Sequence, residues 1–209
     1  MRKSLLLVVF VCAGTIFAQD LKPVALPPPQ TDGGRPLMQV LKDRKTSREF
    51  ASDKLSPQVL SNLLWAAFGI NRPEGKRTAP SAMNWQEIEV YVATADGLFI
   101  YDAKTNRLEP VLAQDVRAAT GTQPFVAGAP VNLVYVADLA RTGQATNETE
   151  LYTSADVGFI AQNVYLFCAS EGLATVVRGS VDRASLAKVM KLRPEQKIVL
   201  AQTVGYPKK

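Results

Sequence analysis

Positions 44 to 48 read Arg44-Lys45-Thr46-Ser47-Arg48, which packs three cations and two hydroxyls into five residues. Two planar guanidinium forks, an ammonium and neutral donors converging on one point suit a phosphate monoester, which offers three acceptor oxygens and nearly two negative charges. The same composition also makes an ordinary solvated face after a helix, and these residues alone leave both readings open. Elsewhere the options narrow. The sequence has no His, which excludes Ser-His-Asp and Cys-His catalysis and argues against a zinc site. Its two cysteines are Cys12 and Cys168. The first falls in a segment expected to be removed. The second, between Phe167 and Ala169 in an apolar helical pattern, reads as a small buried hydrophobe with no His to activate it. Chemistry carried by this chain is therefore expected to come from a bound cofactor.

The elements that must position such a site follow from local signals. Leu37, Val40 and Leu41 recur at helical spacing after Pro36. Ser56 before Pro57 is a helix start, with a side-chain acceptor at the N-cap and a fixed backbone angle at the first helical position. Val59, Leu60, Leu63, Leu64 and Ala67 then form one apolar face, and Gly69 is placed to end it. Residues 87–92 and 98–101 are β-prone and separated by Asp96-Gly97, and Lys104-Thr105-Asn106 makes a second turn before Leu108, which together predict a β-meander. Residues 131–136 are almost continuously apolar and β-branched, the pattern of a strand covered on both faces. The longest helix is expected over 148–170, ended by Glu171-Gly172. Two more buried strands are expected at 176–177 and 198–204, with a short helix over 184–192 between them, capped by Asp182. Helices and strands alternate with a hairpin among them, so the class is α+β or mixed α/β with one central sheet.

The 209 residues suit one domain, and the mean hydropathy and charge are those of a globular chain. Residues 1–18 differ: Arg2 and Lys3 precede an apolar run too short for a membrane span of about 20 residues, and small residues lead to Ala18, the pattern of a secretory signal peptide. Cleavage there removes two cations and no acid, taking the formal charge from +5 to +3. That balance, with no dense basic stripe, argues against nucleic acid as a partner. Residues 19–35, rich in Pro and Gly, read as an extended leader unable to sustain a helix or a paired strand. The folded domain is expected over 36–209, exported to the periplasm or medium and without a stable membrane anchor.

Set in order, the motifs resemble those of the nitroreductase family. Residues 44–50, Arg-Lys-Thr-Ser-Arg-Glu-Phe, look like its N-terminal RRSxRxF element, and residues 79–86, Ala-Pro-Ser-Ala-Met-Asn-Trp-Gln, like its APSAxNxQ loop. Asp156 and Gly158, Gln162-Asn163, Val177-Arg178-Gly179 and Val204-Gly205-Tyr206-Pro207 continue the series. The spacing from Leu63-Leu64-Trp65 to the loop, with Tyr101-Asp102, is most similar to the SagB-type azoline dehydrogenase branch. The chain departs from nitroreductases proper at Gln86-Glu87-Ile88, where they continue Gln-Pro-Trp.

The resemblance implies an α+β sandwich with a central mixed β-sheet flanked by helices, a domain-swapped homodimer, and FMN at its interface. By matching position, Arg44, Lys45, Thr46 and Arg48 would hold the FMN phosphate, with Lys208 and Lys209 nearby. Pro80, Ser81, Ala82 and Asn84 would reach the flavin of the partner subunit, and Arg178 and Gly179 would approach its ring. A residue without a Cβ lets backbone come close to a flat ring. The implied activity is ping-pong oxidoreduction of a small organic substrate such as a nitroaromatic or quinone, or oxidation of a small substrate as a dehydrogenase. NAD(P)H is a possible donor, although export would separate the chain from that cytoplasmic pool. A flavin- or small-ligand-binding module without turnover is the alternative. Trp65 and Trp85 read as packing residues.

Overall fold

The computed structural model describes residues 21–143 and 146–208. The expected signal peptide and Lys209 lie outside them. The chain runs β1 (Val24–Ala25), α1 (Leu37–Asp43), α2 (Pro57–Phe68), β2 (Ile88–Thr94), β3 (Gly97–Asp102), β4 (Arg107–Leu112), α3 (Phe125–Gly128), β5 (Val131–Asp138), α4 (Asn147–Glu171), β6 (Ala174–Arg178), α5 (Arg183–Val189) and β7 (Gln196–Gly205). The local signals act as their chemistry requires. Ser56 Oγ accepts the Val59 N–H at 3.3 Å to open α2, and the Gly69 N–H closes it on the Trp65 carbonyl at 2.8 Å. Asp182 caps α5 through the Ser185 N–H at 3.1 Å. Gly172 ends α4 at φ +70°, a left-handed position that costs Gly little.

Seven strands form one sheet in the order β1-β4-β3-β2-β5-β7-β6, with β2, β3 and β4 as the expected meander. All eight residues of β5 are buried. Its side chains alternate between two cores: Leu133 and Tyr135 pack with Leu63, Leu64 and Ile160 beneath α2 and α4, while Val134 and Val136 pack with Leu186 and Met190 beneath α5. This period of two across a two-sided sheet is the sandwich.

Two expectations change. Every pairing in the sheet is antiparallel rather than mixed. Strands β5 and β6 do run the same way, joined by the α4 crossover, but β7 inserts between them and is antiparallel to both. The leader is also part of the fold. Val24 and Ala25 pair with Leu108 and Arg107, Leu26 is buried, and the Pro27 carbonyl accepts from Ser61 Oγ at 2.6 Å and Asn106 Nδ2 at 2.8 Å. Its prolines leave it able to pair at the sheet edge for two residues, where few backbone donors are needed. Among the described residues no helix is long and apolar enough to cross a membrane.

Candidate flavin site

Past α1 the chain becomes extended at Arg44 and is stitched to the sheet edge. The Ser47 N–H donates to the Thr175 carbonyl at 3.0 Å, and the Ala51 N–H to the Tyr206 carbonyl at 2.9 Å. Phe50 bridges Pro207, and the Lys208 N–H reaches the Glu49 carbonyl at 3.4 Å. This stitching brings Lys208 to Arg44 and Lys45, at least 163 residues earlier in the sequence, around one cavity of about 680 Å³ with Lys42, Ser47 and Tyr165. Thr46 and Arg48 do not line it: Arg48 is exposed, and Thr46 Oγ1 is hydrogen-bonded to Tyr165 Oη at 3.0 Å.

Tyr165 was not singled out from the sequence. It lies on the buried side of α4, accepts the Val177 N–H at 3.0 Å and carries the Arg44 guanidinium 5.3 Å from its ring centroid. An aromatic body with a polar tip at a helix's inner face was its only sequence signal. Among the described residues none of Arg44, Lys45, Arg48 or Lys208 forms an ion pair, whereas neighbouring Asp43 pairs with Arg35. Asp43 and Glu49 also line the cavity, but among the described residues neither pairs with these cations, and unpaired cations beside hydroxyls fit a phosphate monoester.

The 79–86 loop is a second, separate feature. A short 3₁₀ turn spans Ala82–Asn84, and Met83, Asn84 and Gln86 hold φ of +49°, +56° and +48°. Three left-handed residues without a glycine need outside support. Asp156 Oδ2 accepts the Ala82 N–H at 2.8 Å, Ser81 Oγ accepts the Gln86 N–H at 2.8 Å, and the Gln86 side chain bridges Arg77 Nε at 2.8 Å and the Gly75 carbonyl at 3.1 Å. Gln86 is therefore scaffold for the loop. Pro80 and Asn84 face solvent, and Ser81 and Ala82 are half-buried. The loop is anchored to α4 at Asp156, the phosphate arm at Tyr165. Nine residues of helix separate these anchors by about 14 Å, and the chain does not bring the two elements together.

Arg178 turns inward. It is buried, and its guanidinium donates to the Thr120 carbonyl at 2.8 Å, Thr203 Oγ1 at 3.1 Å and Asn132 Oδ1 at 3.2 Å, with no carboxylate in contact. Burial lowers its pKa to about 10, which leaves it a cation at neutral pH. Only the backbone at Arg178-Gly179 is therefore open to an external ring. Gly179 is exposed, and a Cβ there would meet nothing closer than Leu200 Cδ2 at 3.9 Å, so internal packing does not require the glycine. At Gly121 the opposite holds: a Cβ would sit 1.8 Å from Arg178 Nη1. Gly121→Ala is expected to cost about 1–3 kcal/mol of stability through overpacking, read as a lower urea midpoint with an unchanged m-value, because the guanidinium cannot move without losing its partners. An unchanged midpoint would mean the network is loose.

Cys168 is fully buried, and desolvation pushes its thiol well above the ordinary range, so it is inert as a nucleophile. Trp65 Nε1 donates to the Ile70 carbonyl at 3.1 Å, and the Trp85 ring lies 6.2 Å from Tyr152, both packing roles as expected.

The nitroreductase family profile matches residues 41–206. A protein of Methanocaldococcus jannaschii assigned as a nitroreductase is 32% identical over 168 residues, covering 75% of this chain and 85% of that one. The crystal structure of a nitroreductase assignment from Ralstonia eutropha JMP134 is 42% identical, covers 92% of each chain and superposes with a TM-score of 0.86. One from Desulfovibrio desulfuricans, solved in complex with FMN, is 22% identical over 85% of this chain and 89% of its own with a TM-score of 0.62, a likeness of fold alone. The chain belongs to the nitroreductase family and is an FMN-dependent oxidoreductase.

Proposed function

We propose that the chain works as a homodimer holding FMN at its interface, and that it passes electrons by ping-pong from a reduced donor to a small organic acceptor such as a nitroaromatic or quinone. When bound, the flavin supplies the hydride and electron chemistry. The chain's own residues do the rest. Arg44, Lys45 and Lys208, which line the cavity, neutralise the phosphate, Arg48 joins them by swinging in from the exposed end of the arm, Tyr165 holds Thr46, and the backbone at Gly179 offers its N–H to the ring. The uncommitted cations of the arm carry this reading.

The dimer is supported by α4, which is apolar on both sides. Val157, Ile160 and Val164 face the core, while Leu151, Ala155, Phe159 and Gln162 lie exposed at helical spacing on the other side, with Leu37, Met38 and Leu41 exposed on α1, which packs against α4. Exposed apolar residues on two adjoining helices, Leu151 and Phe159 with Leu37, Met38 and Leu41, call for a second cover, and a second copy would bring its own 79–86 loop with it. Export is part of the proposal: Leu21, three residues past the expected cleavage after Ala18, already packs against the core. An exported enzyme needs a donor other than the cytoplasmic NAD(P)H pool, or runs as a dehydrogenase, as the SagB-type spacing of its motifs suggests.

The purified chain is expected to be yellow, with flavin absorbance bands at one FMN per subunit. After anaerobic reduction by dithionite, mixing with a quinone or nitroaromatic should restore those bands within the turnover time. A colourless chain that takes up no FMN removes the reading. A flavin that binds but is not reoxidised by any acceptor favours a binding module without turnover.

A further inference from the structure

The 79–86 loop rests on two buried carboxyls. Glu87, at the foot of β2, is 0% exposed and Asp156, on α4, 3%. Ser81 Oγ, already accepting from the Gln86 N–H, donates its single proton to Glu87 Oε2 at 3.3 Å, and Asp156 Oδ2 holds the Ala82 N–H. The two carboxyls thus hold adjacent residues of the loop, and the Asp156 charge acts on Glu87. Among the described residues neither Glu87 Oε1 nor the buried Thr153 Oγ1 has a partner within hydrogen-bonding distance, although the Thr153 hydroxyl lies near enough to act on the Glu87 carboxyl.

Charged groups surround the pair without serving it. From the loop side Arg77 is spent on Gln86. From beyond β5, Arg141 donates to the Gln86 carbonyl at 2.9 Å and pairs with Glu89 at 2.7 Å and Asp138 at 3.5 Å, and Arg193 pairs with Asp138 at 2.7 Å. On α4, Glu148 takes the Tyr152 hydroxyl and Glu150 pairs with Lys197. Two carboxylates buried under adjacent loop residues, with no ion pair among the described residues, each disfavour the ionised form of the other. A proton on Glu87 Oε1 turns an orphan acceptor into a donor toward Asp156 and leaves the pair with one charge in place of two.

We propose that Glu87 and Asp156 share one proton and act as a latch for the 79–86 loop, positioning the residues that the functional reading assigns to the flavin; only that last step rests on the functional reading. With the proton present, Ser81 and the Ala82 N–H are held and the left-handed turn is kept. Without it, two like charges face each other under the turn and the loop is released. Desolvation raises both carboxyls above their usual values, and for Glu87 the Asp156 charge adds to it. The sign follows from proton counts: the folded chain keeps a proton that the unfolded chain releases near 4.5, so latch stability is present at low pH and lost as pH rises through the folded value.

The test uses the full chain without added flavin and follows the indole N–H of Trp85, one of two tryptophans, assigned by Trp85→Phe, in ¹H–¹⁵N spectra from pH 4 to 9. The wild-type resonance is expected to follow a titration that Glu87→Gln abolishes, since the amide donates permanently. Asp156→Asn gives a second reading, with the titration moved to lower pH because the charge raising Glu87 is gone. FMN affinity is then compared as the ratio of Glu87→Gln to wild type, in which the titration of the phosphate cancels. The ratio should rise through the same midpoint, by up to about tenfold per pH unit for one linked proton. A Trp85 resonance that does not titrate, or that titrates alike in wild type and Glu87→Gln, overturns the latch. Titration of Trp85 with a flat affinity ratio upholds the latch and detaches the loop from the flavin, which is a failure of the functional reading alone.

Discussion

An Arg44→Ala/Arg48→Ala chain is expected to bind FMN at least about a hundredfold more weakly than the parent, while binding riboflavin almost equally. Each guanidinium makes charge-assisted hydrogen bonds worth about 1.5–3 kcal/mol, and about 3 kcal/mol already corresponds to a hundredfold change in Kd. Riboflavin lacks the phosphate, so the loss should vanish with it. The apo fold should survive, since Arg48 is exposed, and among the described residues neither is in an ion pair and the Arg44 guanidinium, lying over the Tyr165 ring, has no hydrogen bond of its own to break. Flavin fluorescence quenching measures both ligands, and a urea titration checks the fold. Equal FMN affinity in variant and parent would make the arm a solvated surface, the other reading its composition allows.

The second large effect is restoration by mixing. The proposed flavin site takes its arm from one subunit and its loop from the other, as the family resemblance implies. An Arg44→Ala/Arg48→Ala chain and a Ser81→Ala/Asn84→Ala chain are each expected to bind FMN poorly as homodimers. Their heterodimer has one site carrying both lesions and one carrying neither. Mixing should therefore restore FMN binding to about half the sites of the heterodimeric fraction, with affinity that depends on protein concentration near the dimer dissociation constant. Subunit exchange is followed independently by native mass spectrometry. No restoration despite exchange, or a monomer that binds FMN as tightly as the dimer, removes the shared site.

The sequence by itself determined the features that short-range physics controls. Ser56-Pro57, Gly69, Gly172 and Asp182 mark helix ends because caps satisfy orphan backbone groups within a few residues. The β-branched run at β5 marks the centre of the sheet because only a strand covered on both faces can hide it. The ordered motifs were enough for the family, and residues 44–48 were legible as a cluster of cations and hydroxyls.

The tertiary structure decided whatever depends on partners far along the chain. The insertion of β7 between β5 and β6 made the sheet antiparallel, and no local pattern encodes which strand lies beside which. The leader folded because Ser61 and Asn106 offer donors to its carbonyls. The resemblance implied that Arg178 approaches the flavin ring, yet packing turned its side chain toward Thr120, Asn132 and Thr203. Tyr165 and Asp156 became anchors only when α4 docked on the sheet, bringing Asp156 to an amide 74 residues away. A polar residue on the inner face of a helix has a definable role only once its burial and its partners exist together, because the cost of an unmet hydrogen bond is set by the surroundings and not by the residue.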